Sequence, residues 1–196
     1  MKHIIGLGNP GEKYIGTRHN VGRDFLLWLA EHESFSTWQT DRYAQAQCAE
    51  GNIKGEPMLL ALPETFMNKS GETVRYLKDK QSLLPEHCTV VYDDVDLPVG
   101  TFKISTDRGS GGHNGVQSVI DGLGSKAFVR VRIGVARTSF WTGGAVRPRG
   151  EKLSQHVLGT FTKKEQQTLT ELYPKLVEAL EVLAVEDVAT AMQRFN

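Results

Sequence analysis

Ile4-Ile5-Gly6-Leu7-Gly8-Asn9-Pro10-Gly11 reads as a buried strand running into a glycine-rich turn. The strand is predicted over 2–7. After Asn20, a plausible N-cap, Val21, Phe25, Leu26 and Leu29 recur at helical spacing, so the turn joins a strand to a helix. Working outward, candidate strands at 43–50 and 57–63, with Gly51 and Gly55 between them, predict a hairpin. Asn68 to Lys80 reads as a helix. Thr89 to Tyr92 is a β-branched strand ending in Asp93-Asp94, and 101–105 is a short strand. Gly109 to Gly112 forms a loop leading into a helix over 113–123, with Gly124 as its stop. Phe128 to Ala136 is strand-like, and 138–152 lacks periodicity and reads as a long loop. Thr162 and Glu165 form a capping box that opens a helix carrying Leu169, Leu172, Leu176 and Leu180, with a kink expected at Pro174. Without repeat or linker, the alternation predicts one α/β domain over 1–196, built on a mixed sheet.

The same stretch argues against a dinucleotide site. It departs from Gly-x-Gly-x-x-Gly, and Pro10 removes a backbone N–H that a pyrophosphate would need. Lysine plus arginine and aspartate plus glutamate both number 23, so net charge names no partner. The distribution is uneven. From Gly100 to Lys152 there are nine basic and three acidic residues, and from Glu165 onward two basic and six acidic. A basic zone on a neutral chain suits a phosphate-bearing ligand, although ordinary surface charge also produces one. Cys48 and Cys88 lack metal-type spacing and read as reduced core thiols of a cytosolic protein. A strand beginning at the first residues leaves no room for a signal peptide, and no apolar run reaches membrane-spanning length, so a cytoplasmic location is expected.

The residues that could carry chemistry cluster at element junctions. His19, in Thr17-Arg18-His19-Asn20, has the side chain best suited to proton transfer near neutral pH. Asp93, at a strand end, could accept an imidazole N–H and so fix the tautomer of a base. Asp93, Asp94 and Asp96 could equally form a solvated turn or hold a divalent cation, but the spacing matches no calcium loop. Asn9, Asn68 and Asn114 each adjoin turn chemistry. Asn suits a neutral ester or amide substrate, and it equally suits capping. His113, inside Gly-Gly-His-Asn-Gly, could line a site without being the base. No Gly-x-Ser-x-Gly elbow is present and neither cysteine has a nearby histidine, so a histidine–aspartate pair points to activated water.

Gly-Leu-Gly-Asn-Pro-Gly, Tyr-x-x-Thr-Arg-His-Asn-x-Gly, Pro-x-Thr-Phe-Met-Asn-x-Ser-Gly, Asp-Asp-x-Asp-Leu-Pro-x-Gly and Gly-x-Gly-Gly-His-Asn-Gly follow one another over most of residues 4–136. In order and spacing they resemble bacterial peptidyl-tRNA hydrolase. The resemblance implies a twisted mixed sheet flanked by α-helices and hydrolysis of the ester between a peptide and the terminal ribose of tRNA. It implies no cofactor and no metal, a monomer, and no obligate protein partner. By that match His19 is the base, Asp93 orients it and Asn9 contacts the ester. Asn68 and Asn114 hold the peptide and the tRNA terminus, and Tyr14, Phe66 and Met67 line the cleft. Lys103, Arg108, Arg130 and Arg132 are candidates for phosphate contacts, which position an RNA without reading its sequence.

Two departures stand out. Many relatives carry a second basic residue two positions after the one matching Lys103, where this chain has Ser105. The 138–152 loop, with Phe140, Trp141 and Arg147-Pro148-Arg149, looks longer than usual, and its arginines and tryptophan are expected to add RNA contacts. Two other functions compete: an RNA-binding protein of the same fold without hydrolysis, as in intron-splicing relatives, and a hydrolase of small esters or peptides.

Overall fold

Strand β1 (Lys2–Gly6) lies at the middle of the sheet, parallel to β4 (Glu56–Pro63) on one side and to β5 (Cys88–Pro98) on the other. Strand β7 (Val129–Thr138) continues the parallel run beyond β5. Antiparallel strands finish both edges. Strands β2 (Gln39–Asp41) and β3 (Ala46–Ile53) extend the sheet past β4, and β6 (Phe102–Ser105) pairs with β7. A two-residue strand, β8 (Ala145–Val146), pairs with the far end of β7. The order β2-β3-β4-β1-β5-β7-β6 is the mixed sheet expected. The computed structural model describes residues 1–138, 144–148 and 150–196.

Both faces of the sheet are covered, which explains why β1 reads as a continuous apolar run. Ile4 joins a core with Val21, Phe25, Leu26 and Leu29 of α1 (Val21–His32) and Leu172, Leu176 and Leu180 of α5 (Lys163–Val185). Its neighbour Ile5 joins a second core with Val74 and Leu77 of α2 (Ser70–Gln81) and Val116, Val119 and Leu123 of α3 (Asn114–Leu123). Each fully buried leucine stabilises the fold by about 1.5–3 kcal/mol.

After β1 the chain crosses to the α1 face, and after β4 to the α2 face. The divergence opens a crevice at the carboxyl ends of the central strands, where α/β folds place ligands. Gly22 sharpens that crevice. A Cβ there would sit 2.1 Å from the Val91 carbonyl oxygen, so glycine lets the start of α1 press against β5. Residues 18–20, one turn before Gly22, are thereby carried to the end of β5.

Several boundaries differ from the sequence reading. β5 does not stop at Tyr92: it runs to Pro98, with a register shift between Asp94 and Pro98, so Asp93 lies inside a strand. The hairpin pairs 46–53 with 56–63 and turns at Lys54-Gly55, leaving Gly51 within β3. A 3-10 turn over Met67–Lys69 precedes α2. Asn20 makes no cap hydrogen bond, and His113, rather than Asn114, caps α3. Two helices were unforeseen, α4 (Glu151–Val157) and α6 (Val188–Phe195). Of the long loop, residues 144–148 contain β8, 139–143 and 149 lie outside the described residues, and 151–152 open α4. The capping box at Thr162 and Glu165 forms with both reciprocal bonds, and α5 continues through Pro174.

Candidate active site

A cleft of about 930 Å³ opens at the carboxyl ends of the parallel strands. Asn9 reaches it from the turn after β1, His19 from the 3-10 turn over Arg18–Asn20, and Phe66, Met67 and Asn68 from the segment after β4. Asp93 comes from β5, and His113 and Asn114 from the start of α3.

Asp93 is the fixed point. Its side chain is 2% exposed, and its Oδ1 receives two imidazoles, His19 Nδ1 at 2.8 Å and His113 Nε2 at 2.9 Å. Burial works against a charged carboxyl here. The two imidazoles outweigh it and hold Asp93 well below the usual carboxylate range. Local geometry then assigns the protons. The Val116 backbone N–H donates to His113 Nδ1 at 3.2 Å, so that nitrogen is an acceptor and the His113 proton sits on Nε2, donated to Asp93. His19 likewise donates Nδ1–H to the carboxylate, which leaves its Nε2 lone pair unused. Burial lowers the His19 pKa and the charge and hydrogen bond of Asp93 raise it; the sum lies above the ordinary imidazole value. His19 is therefore an imidazole held in one tautomer, with its basicity increased by the partner behind it.

His19, Asp93 and His113 have the side-chain types of a metal site and lie close enough together to hold an ion. The donor set argues otherwise. With Nδ1 of His113 accepting from Val116, Nε2 keeps its proton and has no lone pair for a metal.

Asn9 is buried and fully engaged on its backbone side. Its N–H donates to Asn20 Oδ1 at 2.8 Å, and Asn20 Nδ2 donates to the Asn9 carbonyl at 2.9 Å. Its own Oδ1 accepts the Met67 N–H at 2.9 Å. That fixes the amide so that Nδ2 remains as a donor on the cleft wall. The side chain thus spans two loops, which a local cap would not do. Asn68 and Asn114 are exposed on the rim, and Tyr14, Phe66 and Met67 line the cleft as expected.

The basic candidates separate. Lys103 and Ser105 pair with Arg132 and Arg130 across β6 and β7, so alternation puts all four on one face. Arg132 lines the cleft and donates to Asp94 Oδ2 at 2.8 Å, and Arg108 lines it beside the glycine loop. Lys103 is exposed opposite Arg132 but is not a cleft residue. Arg130, read as a phosphate contact, is wholly buried. It stacks on Phe128 with its guanidinium 4.1 Å from the ring centroid and donates to the Arg108 carbonyl, so it holds the loop that carries Arg108. Ser105 is buried opposite it and offers no charge to solvent. Arg147, from the expected RNA-binding loop, does reach the cleft and pairs with both Asp96 oxygens at 2.9 Å, while Phe140, Trp141 and Arg149 lie outside the described residues.

The family profile described as Peptidyl-tRNA hydrolase matches residues 3–196. The chain belongs to the peptidyl-tRNA hydrolase family. Curated relatives with that name include one from Halalkalibacterium halodurans, 40% identical with each chain covered in full. Another, from Pseudothermotoga lettingae, is 41% identical and covers 100% of this chain and 97% of its own. The crystal structure of peptidyl-tRNA hydrolase from Acinetobacter baumannii superposes with a TM-score of 0.88 at 30% identity, covering 100% of this chain and 94% of its own. Within that family fold, the sequence reading missed Asn20, which ties down Asn9, and the α4 residues Leu153, Ser154 and Val157 that wall the cleft. The Asn20 signal was present: it follows His19 directly, and a buried Asn without a cap needs another partner. Among the described residues, no helix is long and apolar enough to cross a membrane.

Proposed function

We propose that this peptidyl-tRNA hydrolase family member cleaves the ester between a peptide and the 3'-terminal ribose of tRNA, with His19 as the general base. The observation that carries the reading is the imidazole held by Nδ1–H on Asp93, with Nε2 left for a water in the cleft. His19 Nε2 takes a proton from water as the oxygen attacks the acyl carbon. The tetrahedral intermediate expels the ribose oxygen, which takes that proton back from the imidazolium. The products are a peptide carboxylic acid, which loses its proton to solvent, and a tRNA with a free hydroxyl.

Asn9 offers its amide N–H to the ester, where a donor aimed at the developing oxyanion lowers the barrier, and helps to tell a blocked amino group from a free one. Asn68 and Asn114, both exposed at the cleft, hold the peptide and the tRNA terminus. Tyr14, Phe66 and Met67 give the peptide an apolar surface that reads no charge. His113 keeps Asp93 in place. Lys103, Arg108 and Arg132 take phosphates, and Arg147 adds a fourth cation in place of the charge missing at Ser105. A non-catalytic RNA-binding protein would have no use for an imidazole tautomer fixed on a buried carboxylate. A small-ester hydrolase would have no use for the cations.

The test is to incubate the protein with N-blocked and with free aminoacyl-tRNA at two salt concentrations. The expected result is release from the blocked substrate alone, with KM rising as salt rises. Equal release from both substrates, or a salt-independent KM, contradicts the reading.

A further inference from the structure

Helix α4 walls the cleft with Leu153, Ser154 and Val157, and Leu158 follows them, yet none of its seven residues is buried. A helix this short has little stability of its own. Without an apolar face in either core, its place over the cleft depends on polar ties at its ends. One is the His156 side chain, whose Nε2 donates to the Val135 carbonyl at 2.9 Å. The other comes from the residue next to His19.

Arg18 points away from the cleft and is 5% exposed at its side chain. Its backbone N–H donates to the Gly159 carbonyl at 3.0 Å, and Nη1 reaches the carbonyls of Gly159 and Thr160. Nη2 donates to both oxygens of Glu165, at 3.0 and 2.9 Å, and the guanidinium lies 5.0 Å over the Phe161 ring. Thr17 bridges Thr160, and the Phe161 N–H donates to the Gly16 carbonyl. Glu165 is the same carboxylate that closes the capping box of α5, accepting from the Thr162 backbone at 2.7 Å. Partial burial opposes its charge, but the bonds from Thr162 and Arg18 hold it below the usual carboxylate range. One part-buried ion pair therefore joins three things: the turn bearing His19, the segment leaving α4, and the first turn of α5. Such a pair, once formed, is costly to break from one side.

We propose that Arg18, held by Glu165, is a positioning residue that sets the α4 wall at a fixed distance from His19 and so governs how tightly the acylated end of the substrate is gripped. The inference rests on the reading of this cleft as the peptidyl-tRNA site. Asn20 does the corresponding work on the other flank, through Asn9. His19 is thus placed between two struts that run in opposite directions along one 3-10 turn.

The test uses the full chain carrying Glu165→Gln, Arg18→Lys, or both. Glutamine can still close a capping box, so α5 keeps its start. Steady-state kinetics on N-blocked aminoacyl-tRNA are measured well below the melting temperature, with amide hydrogen exchange followed over 151–158. The expected result is a KM raised about tenfold with kcat within about twofold, faster exchange in 151–158, and a double variant no worse than the worse single one. The acid limb of kcat/KM should stay in place, because Asp93 and His19 are untouched. Wild-type KM in both folded single variants overturns the proposal, as does a fall in kcat at unchanged KM. Unimpaired turnover by His19→Ala in the same assay would instead remove the reading on which it rests.

Discussion

The turn around His19 and the basic rim around Lys103 solve opposite problems. Arg18, Asn20 and Asn9 are buried, and each is tied by hydrogen bonds to partners in other loops, with Asn9 Nδ2 left toward the cleft. On the rim, Arg132 pairs with Asp94 and Arg147 with Asp96, and Lys103 and Arg108 are exposed. An exposed pair such as Arg147–Asp96 contributes about 0–1 kcal/mol, so a phosphate can replace that carboxylate at little cost. The contrast teaches where the molecule needs precision. Proton transfer requires placement within a fraction of an ångström, which calls for over-determined side chains. Gripping a polyanion requires charge within reach, which loosely held side chains supply.

If the contrast is right, substitutions that disturb the His19–Asp93 pair should act on kcat, and those on the rim, like those at the Arg18 strut to α4, on KM. The largest effect belongs to Asp93→Asn. It should lower kcat by about a thousandfold or more, through loss of tautomer control, with tRNA affinity preserved. Its pH profile should move as well. Asp93 is what lifts His19 against burial, so without that charge the acid limb should fall to lower pH. Retention of near-normal kcat would remove Asp93 from the mechanism. Next, Lys103→Ala or Arg132→Ala should raise KM by about tenfold at moderate salt and reduce the slope of log affinity against log salt by about one, with kcat little changed. A kcat effect there would break the division between turn and rim.

A smaller and structural effect is expected of Gly22→Ala. The added Cβ meets the Val91 carbonyl, so the start of α1 must shift away from β5. Overpacking of this kind costs about 1–3 kcal/mol, seen as a lower Tm, and here it should also reduce kcat because His19 moves with the turn. Wild-type kcat in that variant would show that the turn tolerates displacement. The smallest effect concerns Asp24, just behind the turn. Burial raises its carboxyl to about 6, against a weaker opposing pull from Arg23. A raised folded-state pKa favours the fold below the unfolded value, and that advantage is lost as pH rises through about 6. Asp24→Asn should therefore raise Tm at neutral pH and give no such gain in acid, as thermal melts at the two pH values would show.

Much of this was legible in the chain because the relevant signals are local. Ile4 to Gly11 shows strand chemistry giving way to turn chemistry, and Thr162 to Glu165 shows a cap. His19, Asp93 and the three asparagines were recognisable as polar side chains at junctions, although capping read equally well for each asparagine and a solvated turn for Asp93. What was hidden depends on contacts between distant segments. Arg130 and Arg132 share a face by alternation, yet only Arg130 is sealed, because Phe128 and the Arg108 loop close over it. Asp93 lies in mid-strand because two imidazoles from other elements satisfy it there, which no local pattern announces. The proton on His113 follows from the Val116 N–H at a helix start. Helix α6 is different: Val188, Ala191, Met192 and Phe195 recur at helical spacing behind Asp187, so its pattern and cap were readable and were overlooked.

The central claim is that Asp93 fixes His19 in the Nδ1–H form and leaves Nε2 as the base. Nitrogen-15 NMR of the imidazoles across pH, overlaid on kcat/KM for N-blocked aminoacyl-tRNA, tests it most directly. The account predicts the Nδ1–H tautomer for neutral His19, a titration above the ordinary imidazole value, and an acid limb of activity that coincides with it. A neutral His19 protonated on Nε2, or an acid limb that does not follow its titration, would contradict the account.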